Sequence, residues 1–181
     1  MPPDGELLVR AAGPDPRAGF FSGYLKDPEA TAAAWEGGWF HTGDIVCADA
    51  DGYLTFVDRK KNVIRRSGEN ISAVEVESVL RRHPAVAEVA VAAVADDIRG
   101  EEVLACIVPR TSITDRTVAA MDIVRGALQD LSYFKVPGWV TFVESLPLTA
   151  SQKVARGELK TLAQRLVKSP GCIDTRGLKR R

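Results

Sequence analysis

Between Asp58 and Asn62 the chain reads Asp-Arg-Lys-Lys-Asn, five residues without one apolar side chain. A stretch with nothing to bury cannot run through a core, so it divides the chain into two bodies. Residues 1–60 form a mostly β piece, 61–165 a domain of ordinary size, and 166–181 a Gly- and basic-rich tail. The boundary is basic, but the whole is not: 24 Lys+Arg balance 24 Asp+Glu. A protein that binds a polyanion by neutralising its phosphates needs a surplus of cations, so a nucleic-acid partner is excluded. No apolar run approaches the roughly 18 residues a membrane helix requires, which excludes a membrane role. Cys47, Cys106 and Cys172 are odd in number and lack CxxC spacing, so neither a disulfide framework nor a zinc site is expected. The N-terminus has no signal-peptide pattern and the C-terminus is not Ser-Lys-Leu; a cytoplasmic location is the expectation.

The elements follow from local patterns. Glu6–Arg10 is a short strand. Asp27-Pro28-Glu29 starts a helix with a capping carboxylate, Pro at the first position and an acid at the positive dipole end, running to about Trp35 before Gly37-Gly38. The Asp49–Gly52 turn between alternating runs predicts a hairpin, and a second follows around Ser67–Asn70. Ser72-x-x-Glu75 is a capping box that opens a helix with Val76, Val79, Leu80 and His83 on one face. Val86–Val94 and Glu102–Val108 are strands. A helix from Asp115 is expected to bury Val118, Met121, Val124 or Arg125, Leu128 and Leu131. WVTFV at 139–143 reads as the last strand, and a final helix begins near Ala155. The fold class is α+β: a small β subdomain, a hinge, then a domain with a central sheet flanked by helices. Phe20, Phe21, Trp35 and Trp39 are expected to leave apolar surface exposed in residues 1–57.

Local chemistry alone leaves alternatives open. Gly38–Asp44 reads as a loop in which the Asp44 carboxylate either caps a turn or accepts from a pair of sugar hydroxyls. The cluster Arg59, Lys60, Lys61, Arg65, Arg66 is either a phosphate site or a solvated hairpin face. Gly68 in Ser67-Gly68-Glu69-Asn70 marks a tight turn, or a place where a ligand comes close to the backbone. Lys153 ends a polar loop ahead of a helix. His41 and His83 read as structural.

The order of these pieces says more. GWFHTGD, then DGYLTFVDRKKNVIRRSGENISAVEVESVL, then Arg99-Gly100-Glu101, FKVP and LPLTASQK closely resemble the late motifs of the adenylate-forming (AMP-binding) superfamily, over about residues 5 to 165. The resemblance implies the C-terminal part of an ATP-dependent, AMP-forming acid–CoA ligase. It leans towards a carnitine/crotonobetaine- or fatty-acid-type CoA ligase. Such enzymes join a carboxylic acid to AMP and pass the acyl group to CoA, with ATP/AMP, CoA and Mg2+ as implied cofactors; no metal ligands are evident in this sequence. By the same resemblance Asp44 and Arg59 contact the nucleotide ribose, and Lys61 is the hinge of a mobile domain. Ser67, Gly68 and Glu69 line the pantetheine tunnel, and Lys153 is the catalytic lysine.

Two departures stand out. Gln152 occupies the position before the lysine where the family carries glycine. The phosphate-binding loop and the acid pocket are absent from the sequence. The isolated chain is therefore expected to be inactive, needing a large domain in cis or as a separately encoded partner. A non-catalytic remnant or interaction module is the alternative.

Overall fold

The computed structural model describes residues 5–179, so the first four residues of the N-terminus and the last two of the tail lie outside the described residues. The chain divides into two compact units between Lys61 and Asn62.

The first unit is a three-stranded antiparallel sheet in the order β1 (Gly5–Val9), β2 (Phe40–Ala48), β3 (Leu54–Arg59), with one helix, α1 (Pro28–Ala34). Asp27 caps α1 by accepting from Ala30 N at 2.9 Å, with Pro28 at the position where a missing N–H costs nothing. Asp49 Oδ1 accepts from both Asp51 N and Tyr53 N, which closes the β2–β3 turn and leaves Gly52 at φ +87°. The expected Gly38–Asp44 loop is instead largely strand. Gly43 absorbs a φ of +72° within β2, where the pairing with β1 shifts register between Glu6 and Leu8. Trp35 is not exposed either. It is 4% accessible, edge-on to Phe20 with ring centroids 5.0 Å apart and also against Phe40. Phe21 and Trp39 are exposed as expected, and Tyr53, with Leu54 and Phe56 of β3, is more than half exposed as well.

The second unit is α+β. Its sheet runs β5 (Glu69–Ile71), β4 (Ile64–Arg66), β7 (Gly100–Pro109), β8 (Trp139–Phe142), β9 (Ile173–Asp174), and β6 (Val86–Asp96) also pairs with β7. β6 and β7 form a long antiparallel hairpin from Val86↔Pro109 to Asp96↔Gly100. β8 is parallel to β7, an arrangement that needs a crossover, and α3 (Arg116–Ala127) supplies it. The Val-Ala run of β6 shows why both faces can be covered. Val89 and Val91 join the core beneath α2 (Ala73–Leu80) and α3, while Ala90, Ala92 and Val94 join the core beneath α4 (Arg156–Leu166). A strand buried on both faces keeps no polar alternation, only an alternation of size.

Two expectations change here. Helix α3 buries Ala120, Ile123, Val124 and Ala127, whereas Val118 is 64% exposed. Val124 and Leu131 are buried as expected, and the rest of the packed face is Ala120, Ile123 and Ala127, a frame shifted from the one that includes Val118. The tail does not leave the fold after Leu166. Strand β9 pairs antiparallel with β8, and Thr175 and Lys179 are buried.

Candidate functional site

In the first unit the antiparallel register sets Asp44 of β2 directly opposite Arg59 of β3. Arg59 Nε stands 2.8 Å from Asp44 Oδ1, and its Nη1 donates to Thr42 O at 3.0 Å. The Nε approach falls outside hydrogen-bond geometry, so the buried Oδ1 keeps an unused lone pair despite the short distance. Thr42 orders the strand on both sides: its hydroxyl donates to Leu7 O and accepts from Asp44 N. An open cavity of about 340 Å3 lies beside this pair, lined by Gly43, Arg59, Lys60 and Lys61. Lys61 is exposed within a single 3-10 turn, Lys60–Asn62, and its ammonium has no partner among the described residues.

One member of this site was missed by sequence reasoning. Glu6 of β1 accepts from Gly43 N through Oε1 at 3.2 Å. Its Oε2 lies 2.8 Å from Lys60 Nζ and 3.2 Å from His41 Nδ1. The hydrogen bond from Lys60 holds the Glu6 carboxyl below the usual carboxylate range, against the opposing effect of burial. Nothing in a five-residue strand more than thirty residues upstream signals this role.

In the second unit Ser67 and Gly68 connect β4 to β5 with φ of +51° and +86°. Two positive φ values mark the hairpin turn whose twist matches that of the strands. A Cβ at Gly68 would meet nothing within 4 Å among the described residues, so the turn is open on that side. Ser67, Gly68 and Glu69 are all exposed. The start of β7 fastens the turn: Ser67 N donates to Arg99 O, Arg65 N to Glu101 Oε2, and Arg66 Nε to the buried Glu102 Oε2 at 2.9 Å.

Lys153 sits on a loop closed upon itself. Thr149 N donates to Lys153 O at 2.7 Å, Lys153 N to Thr149 Oγ1 at 3.2 Å, and Leu148 bridges to Val154. That closure places Gln152 at φ +60°, a left-handed conformation in the position where the family motif has glycine. The Lys153 ammonium is exposed and has no partner among the described residues. Three residues later Arg156 locks the start of α4. Its guanidinium grips both oxygens of Glu77 on α2 and reaches Val91 O, while Glu77 also accepts from Val91 N. Neither Glu77 nor Arg156 stood out in the sequence. Of the residues given site roles there, Asp44 and Arg59 are brought together from separate strands. His83 is structural in its contacts, accepting from Ala85 N and lying 3.3 Å from Asp122.

The described residues include no cluster of three or more His, Cys, Asp or Glu side chains able to hold a metal. No helix among them is long and apolar enough to cross a membrane.

Residues 75–153 match the family described as AMP-binding enzyme C-terminal domain. An oxalate–CoA ligase of Arabidopsis thaliana is 41% identical over 166 residues, covering 92% of this chain and 30% of that protein. A crotonobetaine/carnitine–CoA ligase of Salmonella arizonae is 36% identical over 163 residues, covering 88% of this chain and 30% of that protein. Among solved structures, the o-succinylbenzoate CoA synthetase of Bacillus subtilis with its acyl-adenylate superposes with a TM-score of 0.73 at 33% identity. The match covers 88% of this chain and 31% of that one. The chain thus spans about 30% of the length of the relatives it matches. Its motifs, its fold and these relatives agree: residues 75–153 are an AMP-binding enzyme C-terminal domain, and the chain belongs with the C-terminal portion of the adenylate-forming superfamily.

Proposed function

We propose that this chain supplies the ribose contact, the hinge and the mobile small domain of an AMP-forming acid–CoA ligase. The observation that carries the reading is the Asp44–Arg59 pair, of which Arg59 lines an open cavity and Asp44 Oδ1 retains acceptor capacity. A carboxylate held this way fits a nucleotide ribose, accepting from its hydroxyls, while the Arg59 cation favours the adjoining phosphate. ATP would supply the leaving pyrophosphate. No residue of this chain is assigned to Mg2+.

Lys153 suits the first half-reaction. Attack of a carboxylate on an α-phosphate brings two anions together, and an unpaired ammonium on a loop tip can bridge them and offset their repulsion. The turn at Ser67, Gly68 and Glu69 suits the second. The space where a Cβ on Gly68 would point is open among the described residues, so an extended pantetheine can approach the turn from that side. Lys61, unpaired between two compact units, is the position at which the backbone can swivel from one task to the other.

The phosphate loop and acid pocket belong to no segment of this sequence, so the 181-residue chain alone is expected to turn over no acid. The test joins it to the preceding part of the Arabidopsis relative. Acid-dependent AMP release by that chimera, absent from either part alone, supports the proposal. A folded chimera that binds ATP and releases no AMP with any acid of a broad panel overturns it and favours a non-catalytic module.

A further inference from the structure

If Lys61 is a pivot, something must stop the swivel from spreading back into Arg59, or each rotation would break the Arg59–Asp44 pair. Two successive cations are tied down at this point. Arg59 is held by Thr42 O and Asp44, and Lys60 by Glu6. The ammonium of the next residue, Lys61, has no partner among the described residues.

We propose that Glu6 is the positioning residue that sets where the pivot begins. Glu6 lies on β1 and Lys60 follows β3, and β2 runs between those strands in the sheet. The tie therefore spans the sheet from one edge strand to the other. On the way the other oxygen of Glu6 holds the amide of Gly43, the residue before Asp44. One carboxylate, 15% exposed, thereby anchors both the strand that aims Asp44 and the last fixed residue before the swivel. His41 reinforces the anchor: its Nδ1 faces Glu6 Oε2 and its Nε2 lies 3.3 Å from Glu36 O. Lys60 is half exposed, so the ion pair by itself is modest. The amide contact and the single shared carboxylate make the tie act as a unit.

This inference rests on the reading of Lys61 as a pivot, and the test separates the two. It is 15N relaxation and amide exchange on the full chain, compared with Glu6→Ala and Lys60→Met. In the parent chain, order parameters should stay near the rigid value of about 0.85 through Lys60 and depart from it at Lys61. Both variants should move that onset back to Lys60 or Arg59. Only Glu6→Ala should also speed exchange of the Gly43 amide, because Lys60→Met leaves the acceptor in place. An onset that stays at Lys61 in both variants overturns the role of Glu6 and leaves the pivot standing. A parent chain with no departure at Lys61 overturns the pivot, and the role of Glu6 with it. Should Glu6→Ala unfold the first unit, Lys60→Met decides alone.

Discussion

Lys179, near the end of the chain, sends its ammonium into the second unit to meet Glu102 Oε1, and the two side chains are 2% and 0% exposed. Glu102 gives its other oxygen to Arg66 and accepts also from Val103 N. Two buried cations thus share one buried carboxylate, with Arg99 close enough to add to the positive field. Burial pushes Lys179 down to about 8; the attraction of Glu102 opposes this, and the repulsion of Arg66 and Arg99 adds to it.

The sign of the resulting pH dependence is the reverse of what an ion pair suggests. Below about pH 8 Lys179 is charged both folded and unfolded, and its contribution is flat. Between about 8 and 10.5 the unfolded chain holds the proton and the folded chain does not, so stability rises with pH. The full effect is at most about 3 kcal/mol. Urea melts across pH 7–11, with the Lys179→Met profile subtracted to remove other titrating groups, should show this rise. A falling difference curve would mean that the ion pair outweighs desolvation.

Removing the two partners should have unequal effects. Glu102→Gln leaves Arg66 and Lys179 buried without an anion and should cost about 3–5 kcal/mol. Lys179→Met leaves Glu102 with Arg66 and the Val103 amide, and should change stability by less than about 1 kcal/mol at pH 7. Gly138 belongs to the same site, since a Cβ there would stand 2.5 Å from Glu102 Cδ. Gly138→Ala should therefore cost about 1–3 kcal/mol by overpacking. Denaturant midpoints rank the three, and equal losses for Glu102→Gln and Lys179→Met would contradict the ranking.

The Lys153 loop offers a test of backbone rather than charge. Gln152 pays for its φ of +60° with strain of about 1–2 kcal/mol. Gln152→Gly relieves that strain but adds about 0.5–1 kcal/mol of chain entropy, so it should be neutral to mildly stabilising. Gln152→Val is the sensitive variant: a β-branched side chain is a true outlier at positive φ and should destabilise the loop. Amide exchange at Thr149–Val154 should quicken for Gln152→Val and not for Gln152→Gly. The same quickening for both would place the loop's closure in the Gln152 side chain instead.

What could be read in advance was what neighbouring residues dictate. Asp27 and Ser72 announced their helices because a cap acts on amides two or three positions away. The Val-Ala run announced a strand, though not that helices cover both of its faces. Contacts set by topology were invisible. Glu101 and Glu102 look alike in sequence, yet strand alternation sends only Glu102 inward, to partners 36 and 77 residues away. Lys179 follows a Gly- and Arg-containing stretch, and it is Glu102, the pairing with β8 and the packing of Ile173 and Leu178 that draw the described tail in. The site divides the same way. The motif picks out Asp44 and Arg59, and the register brings them face to face, while Glu6 emerges only once β1 lies beside β2.

The roles proposed for Lys153 and Lys61 can be set against each other in the chimeric enzyme. Lys153 is asked to act only where carboxylate meets α-phosphate. Lys153→Ala should slow acyl-AMP formation by about 10²–10³ from the lost charge alone, and further from lost orientation. Given preformed acyl-AMP, the same variant should still make acyl-CoA, because that step draws on the Ser67–Glu69 turn and not on this loop. Lys61→Pro should behave oppositely. Proline fixes φ near −65°, which leaves one pose of the small domain reachable but blocks the swivel that brings the turn to the pantetheine. Adenylation should survive in that variant and thiol transfer should fail. The measurement is each variant in each half-reaction, by pyrophosphate exchange and by acyl-CoA formation from acyl-AMP. If both variants lose the same half-reaction, the division of labour between an unpaired lysine on a closed loop and an unpaired lysine between two units is wrong.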